Sequence, residues 1–366
     1  MKNQLGNAAV EHIALCLREL DKDFKHTEFC KLALLGLDKL ELKQRVSHII
    51  QVLHPFLPAD FAHATDLLKQ LPAVWQKLDP NKQISSFAAW PVIDYASVYG
   101  LSYPQQSLDL LSSLTHLFSA EFAIRPFIIE HPDYCHRQFR MWVQDESEHV
   151  RRLVSEGTRP RLPWGIQLKS YMRDPAVNIP LLTALKDDSS LYVRRSVANH
   201  LNDISKDNPD VLLNICQSWQ VDASQDVHWI IKHATRSLVK TGHSQVLSLL
   251  GYEQQLLLAP IGLQLINSQI RLGDYLEFQF DLTSTSCDSQ KLVIDFAIHF
   301  VKANGQQKAK VFKLKSIQLA AKQTCNIQKR HAIKAITTRQ YYAGTHRLEI
   351  LINGQALASQ EFELHI

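Results

Sequence analysis

Apolar positions in the first 255 residues recur at helical spacing. Leu42, Val46, Ile49 and Leu53, for example, lie three or four positions apart. This spacing places apolar side chains on one face of an α-helix. Prolines separate successive runs of the pattern, and no alternating run typical of a strand lies between them. The region is therefore predicted to be all α.

A repeated motif occurs in the second half of this helical region. The segments Glu148–Leu153 and Leu191–Ser196 share a Val-Arg-Arg core 43 residues apart, each after an acidic or polar turn. A looser third copy covers Val227–Ala234, and aligning Ala198 with Ala234 places it 36 residues further on. Two helices in roughly 40 residues are typical of HEAT or armadillo repeats. The sequence therefore predicts a HEAT-like α-α superhelical solenoid whose second-helix cations line one concave face.

The pattern changes near Pro260 to alternating apolar and polar residues, which is typical of β-strands. Turn signals such as Asn353-Gly354 separate the runs. About seven short strands in this space favour an Ig-like β-sandwich. The predicted strands are Leu263–Ile270, Tyr275–Leu282, Leu292–Val301, Lys310–Leu319, Gln323–Ile327, Arg347–Ile352 and Leu357–Ile366. The predicted fold is thus mainly α, with a helical domain at 1–255 followed by a β-sandwich domain at 256–366.

Composition narrows the classes of function. The 366 residues are 45% hydrophobic and 21% charged, which is typical of a globular chain with two or more domains. No run is apolar enough to span a membrane and no signal-peptide pattern is present, so a cytosolic protein is expected. The six cysteines form no Cys-x-x-Cys pair, so reduced thiols and no metal are expected. No phosphate loop, dinucleotide fingerprint or nucleophile elbow is present, and we expect no cofactor.

The densest polar segment is Val150–Trp164. It predicts a helix that carries Glu156 and ends at Gly157 in a left-handed cap, followed by a loop, Arg159–Arg161, that leads to Trp164. Arginine binds phosphate in a planar fork geometry that lysine does not offer. A rigid loop of this composition adds little to a core, which favours a functional site. A salt-bridged helix end is the alternative explanation.

Three segments resemble the AlkC-type DNA alkylation repair glycosylases: Ser119–Phe127, Glu148–Trp164, and Tyr192–Ile204 with its continuation to Asp210. The resemblance extends over the helical region, and some members of the family also carry a C-terminal Ig-like domain. It implies excision of cationic alkylated bases, chiefly 3-methyladenine and 3-methylcytosine, from double-stranded DNA. It also implies attack on the lesion without full base flipping. A chain that acts as a monomer is expected.

The chemistry implied by this resemblance needs few groups. A base alkylated on a ring nitrogen is positively charged and leaves as a neutral molecule, so no acid has to protonate it. Carboxylates that stabilise an oxocarbenium-like sugar and position a water suffice, and an aromatic face adds cation–π attraction. The candidate catalytic residues are Glu121, Glu156, Trp164 and Asp203. Structural explanations compete: a helix-dipole position for Glu121 after an N-cap at Ser119, an ion pair for Glu156, and core packing for Trp164.

Cations of the repeats are expected to contact phosphates, which positions a duplex without reading its sequence. These residues are Arg152, Arg159, Arg161, Arg194, Arg195, Lys206, Lys232, His233 and Arg236. The segment Lys308–Lys315 alternates basic and apolar residues, and it either contacts DNA or protects a sheet edge. Two other functions stay open: a non-catalytic HEAT-repeat protein that binds damaged or branched DNA, and a protein-binding scaffold.

Overall fold

The computed structural model describes residues 2–253, 255–337 and 339–366. Its α-helices end at Leu249 and its named β-strands begin at Gln264, so the predicted order of a helical region followed by strands is confirmed. The α-helices are α1 (Asn7–Leu20), α2 (His26–Leu34), α3 (Leu42–Leu53), α4 (Phe61–Leu68), α5 (Leu71–Leu78), α6 (Trp90–Tyr99), α7 (Pro104–Leu114), α8 (Ile124–Glu130), α9 (Pro132–Trp142), α10 (Glu148–Gly157), α11 (Lys169–Arg173), α12 (Ile179–Leu185), α13 (Leu191–Ile204), α14 (Pro209–Gln220), α15 (Gln225–Ala234), α16 (Arg236–Lys240) and α17 (Ser244–Leu249). Short 3₁₀ helices occur at Lys2–Gln4, Leu37–Lys39, His54–Phe56, Ser86–Ala89 and Ala176–Asn178.

The three repeat helices α10, α13 and α15 begin in the same way. Each starts directly after a serine and buries the valine that lies three residues beyond it. The pairs are Ser147 with Val150, Ser190 with Val193, and Ser224 with Val227. The hydroxyl oxygens of Ser147 and Ser224 accept a backbone N–H of the first helical turn, as N-cap serines do, whereas the hydroxyl of Ser190 donates to Glu148. The second and third copies are therefore 34 residues apart, and the predicted spacing of 36 is wrong. Alanine fits many helix positions, so Ala198 and Ala234 are poor markers of register.

The first arginine of each Val-Arg-Arg core links its repeat to the next one. The guanidinium of Arg151 donates from Nε and Nη2 to the carboxylate of Asp188, at 2.6 and 3.0 Å. Arg194 repeats the arrangement with Asp226, at 3.0 Å from Nη2. Each Nη1 also donates to two carbonyls in the turn before its own helix. The acidic turns between the repeats therefore hold neighbouring repeats together.

The strands form two sheets, ordered β1-β3-β6 and β2-β8-β7-β4-β5. They are β1 (Gln264–Leu265), β2 (Gln269–Arg271), β3 (Tyr275–Thr283), β4 (Gln290–Val301), β5 (Gln307–Leu319), β6 (Thr324–Ala332), β7 (Gly344–Ile352) and β8 (Gln355–His365). The first predicted strand is instead two short strands in different sheets, β1 and β2. Both sheets contribute to one apolar core, in which the rings of Phe278 and Phe296 meet edge to face with centroids 5.3 Å apart. The lysine-rich β5 lies at a sheet edge.

The chain divides into two compact units. The first comprises Met1–Asn208 and Asp222–Ala234, and the second comprises Pro209–Val221 and Thr235–Ile366. Helices α14, α16 and α17 thus group with the strands, and the domain boundary at residue 255 stays a prediction. Among the described residues, no helix has the length and hydropathy needed to cross a membrane.

Candidate functional site

Six charged side chains of the first unit form a continuous series of ion pairs, here named the ion-pair cluster. Its members, in order of contact, are Glu121, Arg152, Glu156, Arg159, Asp203 and Lys206. The successive nitrogen–oxygen distances are 2.5, 3.5, 2.6, 2.8 and 2.8 Å. The structure therefore brings together three of the four predicted catalytic residues.

Separate elements of the helical region supply this cluster. Glu121 lies in the turn before α8, and Asp203 lies in the last turn of α13. Arg152 and Glu156 are four residues apart on α10, a spacing that puts both on one helix face. Arg159 follows two residues after α10 and reaches the carboxylate of Asp203 on the packed neighbour α13. Stacking of the repeats thus brings distant charges into contact.

The middle of the cluster is buried. Glu156 is 6% exposed and Asp203 only 1%. Burial alone would raise the pKa of Glu156. The guanidinium groups of Arg152 and Arg159 and the hydroxyl of Ser196 outweigh that effect, so the pKa lies below its ordinary value. Oε1 of Glu156 accepts from Arg159 and Oε2 from Ser196, both at 2.6 Å. Glu156 is therefore ionised at neutral pH, with both oxygens engaged.

Glu121 forms the more accessible end of the carboxylate series. Its side chain is 14% exposed. Its Oε2 lies 2.5 Å from Nη1 of Arg152 in an ion pair and accepts a hydrogen bond from the hydroxyl of Ser119 at 2.8 Å. Its Oε1 has no hydrogen bond with any residue that the structure describes. Helix α8 begins only at Ile124, so the helix-dipole explanation with an N-cap at Ser119 is wrong. One oxygen of Glu121 is thus available to a ligand.

The predicted left-handed cap at Gly157 is also wrong. Helix α10 includes Gly157, and the cap residue is Thr158 with φ −90°. A Cβ atom at Gly157 would lie 2.6 Å from Cγ2 of Ile124 on α8. Glycine at this position therefore permits the close packing of α10 on α8.

Trp164 lies on a loop whose backbone is held from two sides. The fully buried Arg125 donates from Nη1 to the carbonyl of Gly157 at 2.8 Å and from Nε to the carbonyl of Ile166. Burial lowers the pKa of Arg125 to about 10. Lys43 donates to the carbonyl of Trp164 itself, at 2.9 Å. The indole is nevertheless 59% exposed, so core packing does not explain this tryptophan.

A cleft of about 210 Å³ lies beside Trp164. Its lining includes Trp90, Asp94 and Phe122, the residue that follows Glu121 in the chain. Burial raises the pKa of Asp94 to about 7, against the opposing hydrogen bond from the indole of Trp90. The loop of Trp164 therefore borders the segment that carries Glu121.

The predicted phosphate-binding cations differ in their contacts. Five of them make ion pairs with carboxylates: Arg152, Arg159, Arg161, Arg194 and Lys206. Arg195 and Lys232 lie on the surface, as does Lys206. His233 stacks on Trp229 with centroids 5.1 Å apart and lies 3.1 Å from Oδ1 of Asn199, while Arg236 is half-buried. The ion-paired cations therefore have a structural role. Contact with DNA phosphates stays a prediction for all nine residues.

Three residues that contact the site had no role predicted from the sequence: Arg125, Ser196 and Tyr192. The ring centroid of Tyr192 lies 4.9 Å from Cζ of Arg152. A signal existed for Arg125, because it interrupts the apolar run 122–129 and such an arginine must find buried partners. Ser196 offered no comparable signal.

Comparisons with known proteins cover the whole chain. Residues 261–366 match a family described as "Uncharacterised protein YhaZ, C-terminal Ig-like domain", which confirms the predicted Ig-like domain. "Uncharacterized protein YhaZ" of Bacillus subtilis strain 168 is 37% identical over 343 residues, which cover 93% of each chain. The solved structure of Pseudomonas fluorescens alkylpurine DNA glycosylase AlkC, bound to DNA containing an abasic site analog, is 38% identical with a TM-score of 0.93. That match covers 100% of this chain and 99% of the other.

Proposed function

Since this chain belongs to the family of AlkC and YhaZ, we propose that it is a DNA glycosylase that hydrolyses the N-glycosidic bond of alkylated bases in double-stranded DNA. The family relationship confirms the resemblance seen in the sequence. The structural observation that carries the proposal is the ion-pair cluster, which ends in a carboxylate oxygen available at Glu121.

The reaction asks little of the protein beyond negative charge and a positioned water. The bond between C1′ of the deoxyribose and the base nitrogen breaks, and its electron pair neutralises the cationic base. The sugar gains oxocarbenium character, which a nearby carboxylate stabilises. Water then adds to C1′ and gives up a proton to a carboxylate or to solvent. No metal or cofactor takes part in these steps.

The geometry supports different roles for the three carboxylates. Glu121 would face the sugar and the water, because one of its oxygens is available. Glu156 and Asp203 have their oxygens held by Arg159, Lys206 and Ser196 and would act through their charge. The three carboxylates of the cluster are matched by Arg152, Arg159 and Lys206, so its formal net charge is zero. The available oxygen of Glu121 would therefore supply the local negative charge that stabilises an oxocarbenium-like transition state.

Among the nine predicted cations, the exposed ones are the strongest candidates for contacts with DNA. Arg195 and Lys206 project from α13 and the residues directly after it, and Lys232 from α15. Each would add a phosphate contact that strengthens binding at low salt. Release of both 3-methyladenine and 3-methylcytosine, attack without full base flipping, and action as a monomer are part of the same proposal.

Trp164 is proposed to stack on the lesion or its sugar. Its φ is +66°, a conformation that is unfavourable for a residue other than glycine. The surrounding contacts must therefore hold the backbone in this conformation. Trp164→Gly is expected to leave the free energy of unfolding unchanged or higher, because glycine accepts this conformation. Excision should fall about 5- to 30-fold, the equivalent of ~1–2 kcal/mol of cation–π contact. Denaturant titration and single-turnover base release measure the two effects.

Asp222→Gly is the matched control for Trp164→Gly. Asp222 is exposed and also has a positive φ, 56°, so glycine relieves the same strain outside the site. Its excision rate should equal that of the wild type. A Trp164→Gly variant with an unchanged excision rate would exclude the stacking role.

The proposed function is tested by base release from duplex DNA methylated on ring nitrogens. The wild-type protein is expected to release 3-methyladenine, separated by chromatography, faster than the spontaneous loss seen without protein. Undamaged duplex serves as the negative control. Duplex binding is measured in parallel across a range of salt concentrations, since phosphate contacts make affinity fall steeply with salt.

The two measurements separate the alternatives. Binding without base release would favour the non-catalytic protein that binds damaged or branched DNA. Neither binding nor release would favour the protein-binding scaffold.

A further inference from the structure

A second group of side chains with metal-binding chemistry lies between α1 and α2. His26 and Cys30 are four residues apart on α2, so they share one face of that helix. Glu11 on α1 faces them across the helix pair. Its Oε1 lies 2.9 Å from Nε2 of His26, and the thiol of Cys30 donates to its Oε2 at 3.3 Å.

The ligand atoms already lie close enough for one cation. One ligand atom from each of the three residues lies within 4.8 Å of the others, and this is the one such group in the described part of the chain. In a tetrahedral zinc site, bonds of about 2.0–2.3 Å place ligand atoms roughly 3–4 Å apart. Small side-chain rotations would therefore suffice to form it.

An unmet hydrogen-bonding group points the same way. Nε2 of His26 is buried, and it makes no hydrogen bond with the described residues in spite of its closeness to Glu11. A buried polar atom without a partner is unfavourable. A cation between the imidazole and the carboxylate would satisfy it.

We propose that Glu11, His26 and Cys30 form a zinc site that joins α1 to α2. A thiolate, an imidazole and a carboxylate are the ligand types that zinc prefers, whereas magnesium and calcium prefer oxygen alone. One thiolate and one carboxylate neutralise the dication, which suits a partly buried position. Three protein ligands leave the fourth position to water.

The site is not visible in the sequence because its residues do not form a local motif. Zinc sites are usually recognised by paired cysteines or paired histidines, and a single His-x-x-x-Cys turn is common by chance. The third ligand comes from another helix, and only the packing of α1 on α2 brings it near. A zinc site here would replace the expectation from the sequence that the chain binds no metal.

The same chain offers a matched control. His12 and Cys16 are also four residues apart on one helix, with Nε2 and Sγ 3.6 Å apart. Among the described residues, no carboxylate completes a group of three around that pair. Cys16→Ser therefore removes a buried thiol next to a histidine without touching the proposed site.

The test uses the full-length chain after treatment with a chelator. Zinc binding is followed by calorimetry and by the midpoint of thermal unfolding, because a ligand of the folded state raises that midpoint. Cobalt is the second probe, since a cobalt–thiolate bond gives a charge-transfer absorption band. The wild type and Cys16→Ser are expected to bind one equivalent, with a raised midpoint and the thiolate band. Cys30→Ser and Glu11→Gln should lose all three signals.

Two results would overturn the proposal. One is the absence of stoichiometric binding by a wild-type chain that is folded by circular dichroism. The other is unchanged binding in Cys30→Ser, above all if Cys287→Ser abolishes it, because Cys287 is exposed and its thiol is open to adventitious metal. None of the three readouts depends on catalysis, so the proposed glycosylase function is not at stake in this test.

Discussion

Replacing Glu121 with glutamine is expected to slow base release from methylated duplex DNA ~10²–10⁴-fold, the usual contribution of a positioned catalytic acid or base. Glutamine keeps the length of the side chain and an oxygen that can lie beside Arg152 and accept from Ser119. The fold should therefore persist, while the charge that faces the sugar is lost. Single-turnover release at saturating protein, together with duplex affinity, measures the effect.

Glu130→Gln is the control for this variant. Glu130 lies at the exposed end of α8, outside the ion-pair cluster. Its substitution should leave the rate of release unchanged. If Glu121→Gln binds the duplex and releases bases as fast as the wild type, the role given to Glu121 is wrong, and Glu156 and Asp203 become the groups to replace.

Replacing Arg159 with methionine is expected to lower the free energy of unfolding by ~3–5 kcal/mol, the usual effect of removing one partner of a buried ion pair. Arg159 is 7% exposed and lies between the carboxylates of Glu156 and Asp203. Methionine fills similar space but leaves these carboxylates without their shared cation. Denaturant titration followed by circular dichroism gives the difference.

Arg161→Met is a closely matched control. Arg161 lies two residues further on and pairs with both oxygens of Asp207, but its side chain is 31% exposed. Ion pairs of this exposure contribute ~0–1 kcal/mol, so the loss should be small. Equal losses in the two variants would contradict the importance given to burial.

Arg159→Met should also change how the free energy of unfolding depends on pH. The pKa of Glu156 lies below its ordinary value in the folded protein, so its contribution is present above about pH 4.3 and is lost as the pH falls through the folded pKa. In Arg159→Met, one of the two guanidinium groups that oppose the effect of burial is lost, so the pKa of Glu156 rises. Stability should therefore begin to fall at a higher pH than in the wild type. Unfolding midpoints between neutral and acidic pH would show the shift.

The fold was largely predictable because its signals are local. A serine followed by a buried valine fixes the start of each repeat helix within a few residues, as at Ser147 and Val150. The strands follow from alternation and turns in the same way. What local signals could not settle was the role of Gly157, since a glycine near a helix end suits either a cap or close packing. The contact with Ile124 decides between them.

The sequence selected carboxylates that the structure brings together, but it did not predict the contacts that join them. Glu121, Glu156 and Asp203 were chosen from residue type and from the family resemblance, and all three lie in the ion-pair cluster, while their catalytic role stays a prediction. The sequence did not reveal that Arg159 contacts both Glu156 and Asp203, which lies 44 residues beyond Arg159 in the chain. Such pairs depend on how the repeats stack, and an arginine has the same identity whether it faces phosphate or a buried carboxylate.

The ion-pair cluster also constrains which substitutions this chain can accept. Because each buried carboxylate in the series shares its guanidinium with the next, a single substitution at Arg159 or Asp203 leaves an uncompensated charge in the interior. Single substitutions at these positions are therefore strongly destabilising, and a neutral change requires that both partners be replaced together. A lineage that abandoned catalysis would be expected either to retain the buried charges as a scaffold or to exchange them together for apolar residues.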